Sequence, residues 1–385
     1  MDLWEMNLRH LAAVAKIAEL GTMSAAAQAV NLTQPALTQA LARIESSIGL
    51  PLFERRHDGM VPTDASDLLV PRLRGASELI SSPHVTMSRM RALLALADTG
   101  SYKGAAMETG LSLPSLHRAV SDLSLSLRRR LVDRRGRAVA LTEAGAALVR
   151  ACRLARLELQ AGFAELEALK GYETRRIVVG AMPLSRAKVL PAAVARFLKR
   201  HPQVRISIVE GSRAELVEPL RNGVIDMMIG ALREPLMEPD LAQEELFRDQ
   251  PEVVARKGHP LEGKGGGGAM PDLAALTNYP WVVAGPGAPL RSTWERMFTD
   301  AGLEPPDVPI ESGSVMTIRQ LLINSDLLTL LSPDQVAVEL EAGWLTSLGQ
   351  APAGQERVIG VTTRASWRPT AVQAEFVADL RDAVG

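Results

Sequence analysis

Two short runs of the chain carry arginines in an arrangement suited to a polyanion: Leu52-Phe53-Glu54-Arg55-Arg56 and Leu131-Val132-Asp133-Arg134-Arg135-Gly136-Arg137. A guanidinium is permanently charged, and its planar fork of N–H donors matches a phosphate or the edge of a guanine. Upstream of each run lies a small polar set around a proline. The first holds Thr33, Gln34, Pro35, Thr38 and Gln39, and the second is built around Pro114. Hydroxyl, amide, imidazole and guanidinium groups are the ones that read base edges. Catalysis finds no comparable support. The histidines His10, His57, His84, His117, His201 and His259 show no metal spacing, and no Ser/His/Asp set or carboxylate pair has a supporting context. A single cysteine, Cys152, excludes an intramolecular disulfide and a thiolate cluster. The residues describe a non-enzyme without metal or cofactor.

The elements that must hold these residues come from a repeat. Shifted by 79 residues, segment 8–66 lies on 87–145 without a gap, with 15 identities in 59 positions. Gly21 falls on Gly100, Pro35 on Pro114, Arg55-Arg56 on Arg134-Arg135 and Thr63 on Thr142. Each copy reads as three helices and a hairpin. In the first copy Leu8, Leu11, Val14 and Ala18 recur at helical spacing, and Gly21 ends that helix. Ser24 is expected to cap a second short helix over 25–30. Thr33 caps a third, with Pro35 in its first turn, Leu37, Leu41 and Ile44 inward, and Gln34, Thr38, Gln39 and Arg43 outward. Two helices joined by a tight turn, followed by an Arg-tipped hairpin at Asp58-Gly59, describe a winged helix-turn-helix.

Charge is divided unevenly. Residues 1–82 carry 7 Lys/Arg against 9 Asp/Glu, residues 84–156 carry 13 against 5, and residues 157–385 carry 23 against 30. A basic block within a chain of net charge −1 suits a module that binds a polyanion.

The stretch from Leu8 to Arg56 resembles the DNA-binding domain of LysR-type transcriptional regulators. The second copy is most similar to that domain in its wing, Asp133-Arg134-Arg135-Gly136-Arg137, and in the Leu141-Thr142-Glu143-Ala144-Gly145 that follows. The resemblance implies DNA contacts from Thr33, Gln34, Pro35, Thr38, Gln39, Arg55 and Arg56. At matching positions of the second copy it implies contacts from Ser112, Pro114, His117, Arg118, Arg134, Arg135 and Arg137. Family members ordinarily carry one such domain, and this chain has two. Leu113 replaces the glutamine and Arg128 a glycine in copy two, so the first copy is expected to read bases and the second to supply most of the phosphate affinity.

Residues 142–171 read as one long helix, capped by Thr142 and stopped by Gly171. Leu148, Cys152, Ala155, Leu159, Phe163, Leu166 and Leu169 form its apolar stripe. The family's linker helix pairs protomers. Copy one has a stunted version over 65–69, broken or kinked near Pro71 and stopped by Ser81-Ser82-Pro83, and the two copies can pair within one chain as a pseudo-dimer. The expected domains are 6–66, a short linker helix and joint over 67–83, 84–141, the linker helix 142–172, and an effector domain 173–385.

That last region alternates strands (about 175–180, 204–209, 224–230, 281–284, 308–311 and 358–361) with helices (191–200, 216–222, 290–301 and 370–383). This predicts a mainly parallel α/β sheet with ligands at the carboxyl ends of its strands. It resembles the family's effector-binding domain, two lobes like a periplasmic solute-binding protein, with lobe 1 over 175–255 and 353–385 and lobe 2 over 256–352. By position the resemblance implies effector contacts from Pro183, Ser185, Gly211, Ser212, Arg213, Gly287, Arg291, Ser314 and Thr317. The helix start after Pro183 and the Ser185 hydroxyl would receive a carboxylate. The Lys264–Gly268 stretch reads as a loop, since no G-K-[ST] or helix follows it.

The fold class expected is therefore multidomain: two winged helix-turn-helix domains and a two-lobed α/β effector domain. The function expected is sequence-specific regulation of transcription under a small-molecule effector such as an organic acid. Its partners would be promoter DNA, a second copy in a homodimer or homotetramer, and RNA polymerase. With no run of 18 apolar residues and no basic, apolar leader at the N-terminus, the chain is expected in the cytoplasm. The competing reading is a cytoplasmic small-molecule-binding protein whose helical modules mediate protein contacts instead of DNA binding.

Overall fold

The computed structural model describes residues 3–57, 59–135, 138–171, 176–264 and 270–384, with the side chains of 134, 135 and 138 also outside the description. The chain divides into two compact units, residues 1–175 and 176–385.

The N-terminal unit begins with α1 (Leu8–Leu20), α2 (Met23–Ala29), α3 (Gln34–Ile48), β1 (Phe53–Arg56), β2 (Gly59–Pro62) and α4 (Asp64–Leu79). The same order follows in α5 (Met87–Thr99), α6 (Tyr102–Thr109), α7 (Leu113–Leu127), β3 (Val132–Arg135), β4 (Ala138–Leu141) and α8 (Glu143–Leu169). The 79-residue offset extends to tertiary hydrogen bonds. The Met60 N–H donates to the Gly21 carbonyl at 2.8 Å, and the Val139 N–H to the Gly100 carbonyl at 2.9 Å. Thr63 Oγ1 donates to the Pro51 carbonyl, and Thr142 Oγ1 to the Arg130 carbonyl, at 2.7 and 2.6 Å. Each hairpin is thus pinned at both ends to the helices before it.

Three local expectations are corrected. The cap of α2 is Thr22, not Ser24; its hydroxyl accepts the Ala25 N–H, because the helix starts two residues earlier than the small-residue run suggests. The helix α4 is not stunted: it runs sixteen residues straight through Pro71. An interior proline costs ~3 kcal/mol, but α4 buries Leu69, Val70, Leu73 and Ala76 on both sides of it, and that packing holds the helix. Leu169, assigned to the α8 stripe, is exposed, while Glu165 beside it is buried.

A single core joins α1, α3, α4, α5 and α8, running from Leu11 and Leu37 through Leu69 and Leu73 to Cys152, Ala155 and Leu159. A smaller core, Ala92, Leu96, Ala105, Leu116 and Val120, serves α5 to α7, with Val132 and Val139 of the second hairpin packed against it. Where α4 meets α8, Gly162 allows close approach: a Cβ there would lie 2.9 Å from Leu69 Cδ1 and 3.0 Å from Arg72 Cβ.

The C-terminal unit starts with β5 (Arg176–Ala181), α9 (Val189–Arg200), β6 (Arg205–Glu210), α10 (Arg213–Arg221), β7 (Met227–Ala231) and β8 (Leu241–Asp249). A second lobe follows: β9 (Glu252–Arg256), α11 (Leu273–Leu276), β10 (Val282–Val283), α12 (Pro289–Thr299), β11 (Ile310–Glu311), α13 (Val315–Ile323), β12 (Thr329–Leu331), α14 (Ala337–Glu341) and β13 (Leu345–Gln350). The chain returns to the first lobe for β14 (Arg357–Arg364) and α15 (Ala371–Asp382).

The first sheet has the order β6-β5-β7-β14-β8. Its β6-β5-β7 part is parallel and β7-β14-β8 is antiparallel. The second lobe holds an antiparallel β12-β9-β13 sheet and a parallel β10-β11 pair. The sheets are mixed, not mainly parallel. The unforeseen strand β8 has a half-exposed face and charged residues, Glu244, Glu245 and Arg248, which hide a strand from an apolar-run reading. Strand β7 begins three residues later than expected, with Val224 exposed. Since β9 belongs to the second lobe, the chain crosses over at Gln250-Pro251, not after residue 255. Among the described residues no helix is long and apolar enough to cross a membrane.

Candidate nucleic-acid interface

Helix α3 is opened by Thr33, whose hydroxyl accepts the Ala36 N–H at 3.3 Å, with Pro35 in the first turn, where its missing N–H costs no helix bond. Leu37, Leu41, Ile44 and Ile48 bury one stripe. That burial leaves Thr33, Gln34, Pro35 and Gln39 exposed on the other face, with Thr38 half-exposed and its hydroxyl donating to the Gln34 carbonyl at 3.0 Å. Helix α7 has the same length and the same cap: Ser112 accepts the Ser115 N–H at 3.3 Å, and Pro114 sits in the first turn. Leu113, Pro114 and Arg118 are exposed. His117 is half-buried because it stacks on Tyr102 of α6, with ring centroids 3.6 Å apart and planes at 24°. Tyr102 was missed by the sequence reading; its only signal was an aromatic at the start of the helix before the turn.

The two helices end differently. Gly49 closes α3 at φ 73°, whereas Arg128 closes α7 at φ 50°, a left-handed conformation that an L side chain adopts at a cost.

In the first hairpin Arg55 pairs in register with Met60 and Arg56 with Gly59, which places both arginines at the turn end of β1. Both are exposed, and Arg56 also reaches Glu54 at 2.9 Å. In the second, Arg134 is opposite Val139 and Arg135 opposite Ala138. Arg137 lies outside the described residues. The described members of each expected DNA-contact set thus fall on one helix N-terminal region and one hairpin of their own copy. Exposed hydroxyl caps suit phosphate, and the side chains of the next turn suit base edges.

What orders the two copies is a charged contact that periodicity did not reveal. Arg72 of α4 and Glu165 of α8 are buried against each other, with Nη2–Oε1 at 2.8 Å and Nε–Oε2 at 3.2 Å, and Glu158 accepts from Nη1 at 3.3 Å. Burial alone would lower the Arg72 pKa, but the two carboxylates outweigh it and hold the guanidinium above its ordinary value. Cys152, on the apolar stripe of α8, is fully buried, and burial pushes its thiol up to about 12. It is an inert core residue.

In the C-terminal unit the expected effector residues divide. Ser185 is a correction: it is fully buried, and its hydroxyl donates to the Met182 carbonyl at 2.8 Å, so it faces inward. The segment after Pro183 is also not a helix start, for α9 begins only at Val189 and the Ser185 N–H is already used by Met182. Pro183 itself is exposed. Gly211 packs close to Leu216, and Ser212 forms a capping box with Glu215 at the start of α10. Arg213 pairs with Glu238 at 2.8 Å, yet its Nη1 is buried with no acceptor among the described residues. In the second lobe Gly287 has φ 82°. Arg291 is held by Glu295 and Glu311 at 2.7 and 3.0 Å and lies 5.1 Å over the Trp294 ring. It lines a recess of about 550 Å³ with Trp294, Pro305 and Val308, and its charge is already balanced. Ser314 caps α13 by accepting the Thr317 N–H, and Thr317 is exposed beside it. Lys188 and Asp334, 3.5 Å apart, link the first lobe to the second.

Residues 170–385 match the family model described as the LysR substrate binding domain. Residues 8–67 and, separately, 87–146 match that of the bacterial regulatory helix-turn-helix protein, lysR family. The HTH-type transcriptional regulator GalR of Pseudomonas putida is 32% identical over 391 residues, covering 98% of this chain and 97% of that protein. The SDS degradation transcriptional activation protein of a Pseudomonas species is 32% identical over 287 residues, with 72% and 90% covered. Among solved structures, a full-length OxyR variant from Pseudomonas aeruginosa superposes with TM-score 0.55 at 20% identity, covering 77% of this chain and 96% of its own. CbnR complexed with its target DNA gives 0.53 at 17%, covering 77% and 98%. At these identities the two structures speak to fold alone, and about a quarter of the present chain lies outside each match, close to the length of one repeat. The chain belongs to the LysR family of helix-turn-helix transcriptional regulators.

Proposed function

We propose that the chain is a cytoplasmic, sequence-specific regulator that holds promoter DNA with two winged helix-turn-helix modules and responds to an organic acid bound by its C-terminal unit. The observation that carries the reading is the matched pair α3 and α7, each capped by a hydroxyl residue, started by proline and followed by an Arg hairpin. In the first module the contacts come from Thr33, Gln34, Pro35, Thr38 and Gln39, with Arg55 and Arg56 on the backbone. In the second they come from Ser112, Pro114, His117 and Arg118, with Arg134, Arg135 and Arg137. The modules span 6–66 and 84–141.

An acidic effector is supported by Arg213, whose buried, unmatched Nη1 would donate to a carboxylate oxygen. Pro183, Gly211, Ser212, Gly287, Ser314 and Thr317 would border the same ligand, and Arg291, already neutralised, would contribute shape more than charge. Effector binding must favour one arrangement of the molecule over another, a coupling typically of ~1–3 kcal/mol.

Footprinting the purified protein on the intergenic DNA beside its own gene, at near-physiological salt, tests the reading. Protection of at least two adjacent major-groove patches is expected. Absence of protection on any promoter fragment would replace it with the protein-contact alternative.

A further inference from the structure

We infer that this regulator recognises duplex DNA sites with two chemically unlike halves, one read by α3 and the other by α7 of a coupled pair. The inference rests on the DNA-binding reading above and adds what kind of site is bound.

The first support is the contact between α4 and α8. Arg72 stands at the repeat position of Ala151, Glu158 at that of Leu79, and Glu165 at that of Thr86. Two α4 helices facing each other would bury two guanidiniums with no carboxylate from 79 or 86. Two α8 helices would bury Glu165 with no cation from 151. Only the unlike pair α4–α8 satisfies the buried charges, with Arg72 on Glu165 at 2.8 Å and Glu158 at 3.3 Å. Gly162 adds shape to charge, since the Arg72 stem fills the space that a side chain there would need. A buried charge left alone is strongly unfavourable, so the pairing selects itself and always joins one first module to one second module.

The second support is the chemistry on the two helices. At four matching positions among those exposed or half-exposed on each helix, α3 presents Thr33, Gln34, Thr38 and Gln39, while α7 presents Ser112, Leu113, His117 and Arg118. Glutamine side chains match the N6/N7 edge of adenine. Arg118 matches O6/N7 of guanine, His117 is held on Tyr102 with its edge available to a guanine acceptor, and the exposed Leu113 offers an apolar contact for a thymine methyl. Leucine in place of glutamine therefore changes what the second helix reads and does not leave it blind. A family architecture of identical modules reads a palindrome by symmetry; a fixed pair of unlike modules has no such symmetry to impose.

The test is selection from a randomised duplex pool with the full-length chain, the random region being about three helical turns long. The wild type should enrich a motif with two unlike halves. Recoding the second helix (Ser112→Thr, Leu113→Gln, His117→Thr, Arg118→Gln) should convert it to a repeat of the first half and weaken binding to the wild-type motif about tenfold or more. The reciprocal recoding (Thr33→Ser, Gln34→Leu, Thr38→His, Gln39→Arg) should duplicate the other half, and none of the four positions belongs to the buried core. A wild-type palindrome, a single conserved half, or recoding without effect on the motif overturns the inference while leaving DNA binding in place. Failure to enrich any sequence overturns the DNA-binding reading itself.

Discussion

Arg72 and Glu165, 93 residues apart in the chain, form a two-point ion pair in the interior of the N-terminal unit, their side chains only 6% and 10% exposed. The pair lies where α4 crosses α8, so it fixes which helix packs against which. Such a contact is worth less as a stabilising bond than as a constraint, because removing two ions from water costs nearly what their attraction returns.

Breaking it on one side is therefore the informative change. Arg72→Ala should destabilise the N-terminal unit by ~3–5 kcal/mol, since Glu158 and Glu165 would remain buried without a cation. The triple change Arg72→Met, Glu158→Leu, Glu165→Met should recover most of that loss. Urea unfolding followed through the first transition measures both; equal stability of the single and triple variants would show that desolvated charge is not the cause.

Gly145, one turn into α8, lies against the backbone of Leu131, and a Cβ there would collide with the Leu131 carbonyl oxygen. Gly145→Ala should cost at least ~1–3 kcal/mol by forcing the helix away from the β3–β4 hairpin. Faster proteolysis within 131–141, measured against the wild type, is the expected readout.

Burial of Cys152 leaves almost no thiolate at neutral pH. An aromatic disulfide reagent should label the folded chain only at the rate of opening or unfolding, and stoichiometrically in denaturant. Rapid labelling of folded protein at pH 8 would contradict the packing of α8.

His259 in the second lobe is buried, with the Leu261 N–H donating to its Nδ1 at 3.1 Å and its Nε2 3.3 Å from the Asp326 carbonyl. Burial first, opposed by Asp326 and aided by Arg256, lowers its pKa. Its Nδ1 must keep a lone pair, so the folded lobe holds neutral imidazole. The unfolded chain takes up the proton near pH 6.5 and the folded chain only below that, so stability is present above about pH 6.5 and declines as pH falls through the lowered value. Thermal melts between pH 7 and 5 should show this decline, and His259→Asn should flatten it.

Charge reversal at Arg134 and Arg135 should flatten the salt dependence of DNA binding more than reversal at Arg55 and Arg56. The second module carries the larger excess of positive charge, and each lost phosphate contact reduces the slope by roughly one. The opposite ranking would assign the phosphate affinity to the first module.

Local signals in the chain were sufficient for the elements that carry the candidate DNA contacts. Helix caps at Thr33, Ser112 and Thr142, the prolines after two of them, and the apolar stripe of Leu37, Leu41 and Ile44 act within a few residues, so their message survives without the fold. The repeat was legible for the same reason: register is a property of the sequence. What only the tertiary structure decided was whatever depends on a distant partner. Helix α4 survives Pro71 because it is clamped between α1 and α8; Ser185 turns inward because Met182 offers a carbonyl; Arg291 is neutralised in part by Glu311, 20 residues away, and Arg213 is held through Nη2 by Glu238, 25 residues away, with its Nη1 left unmatched. The burial of Glu165 beside Arg72 belongs to the same class, since a charge on an apolar stripe has meaning only once the helix that faces it is known.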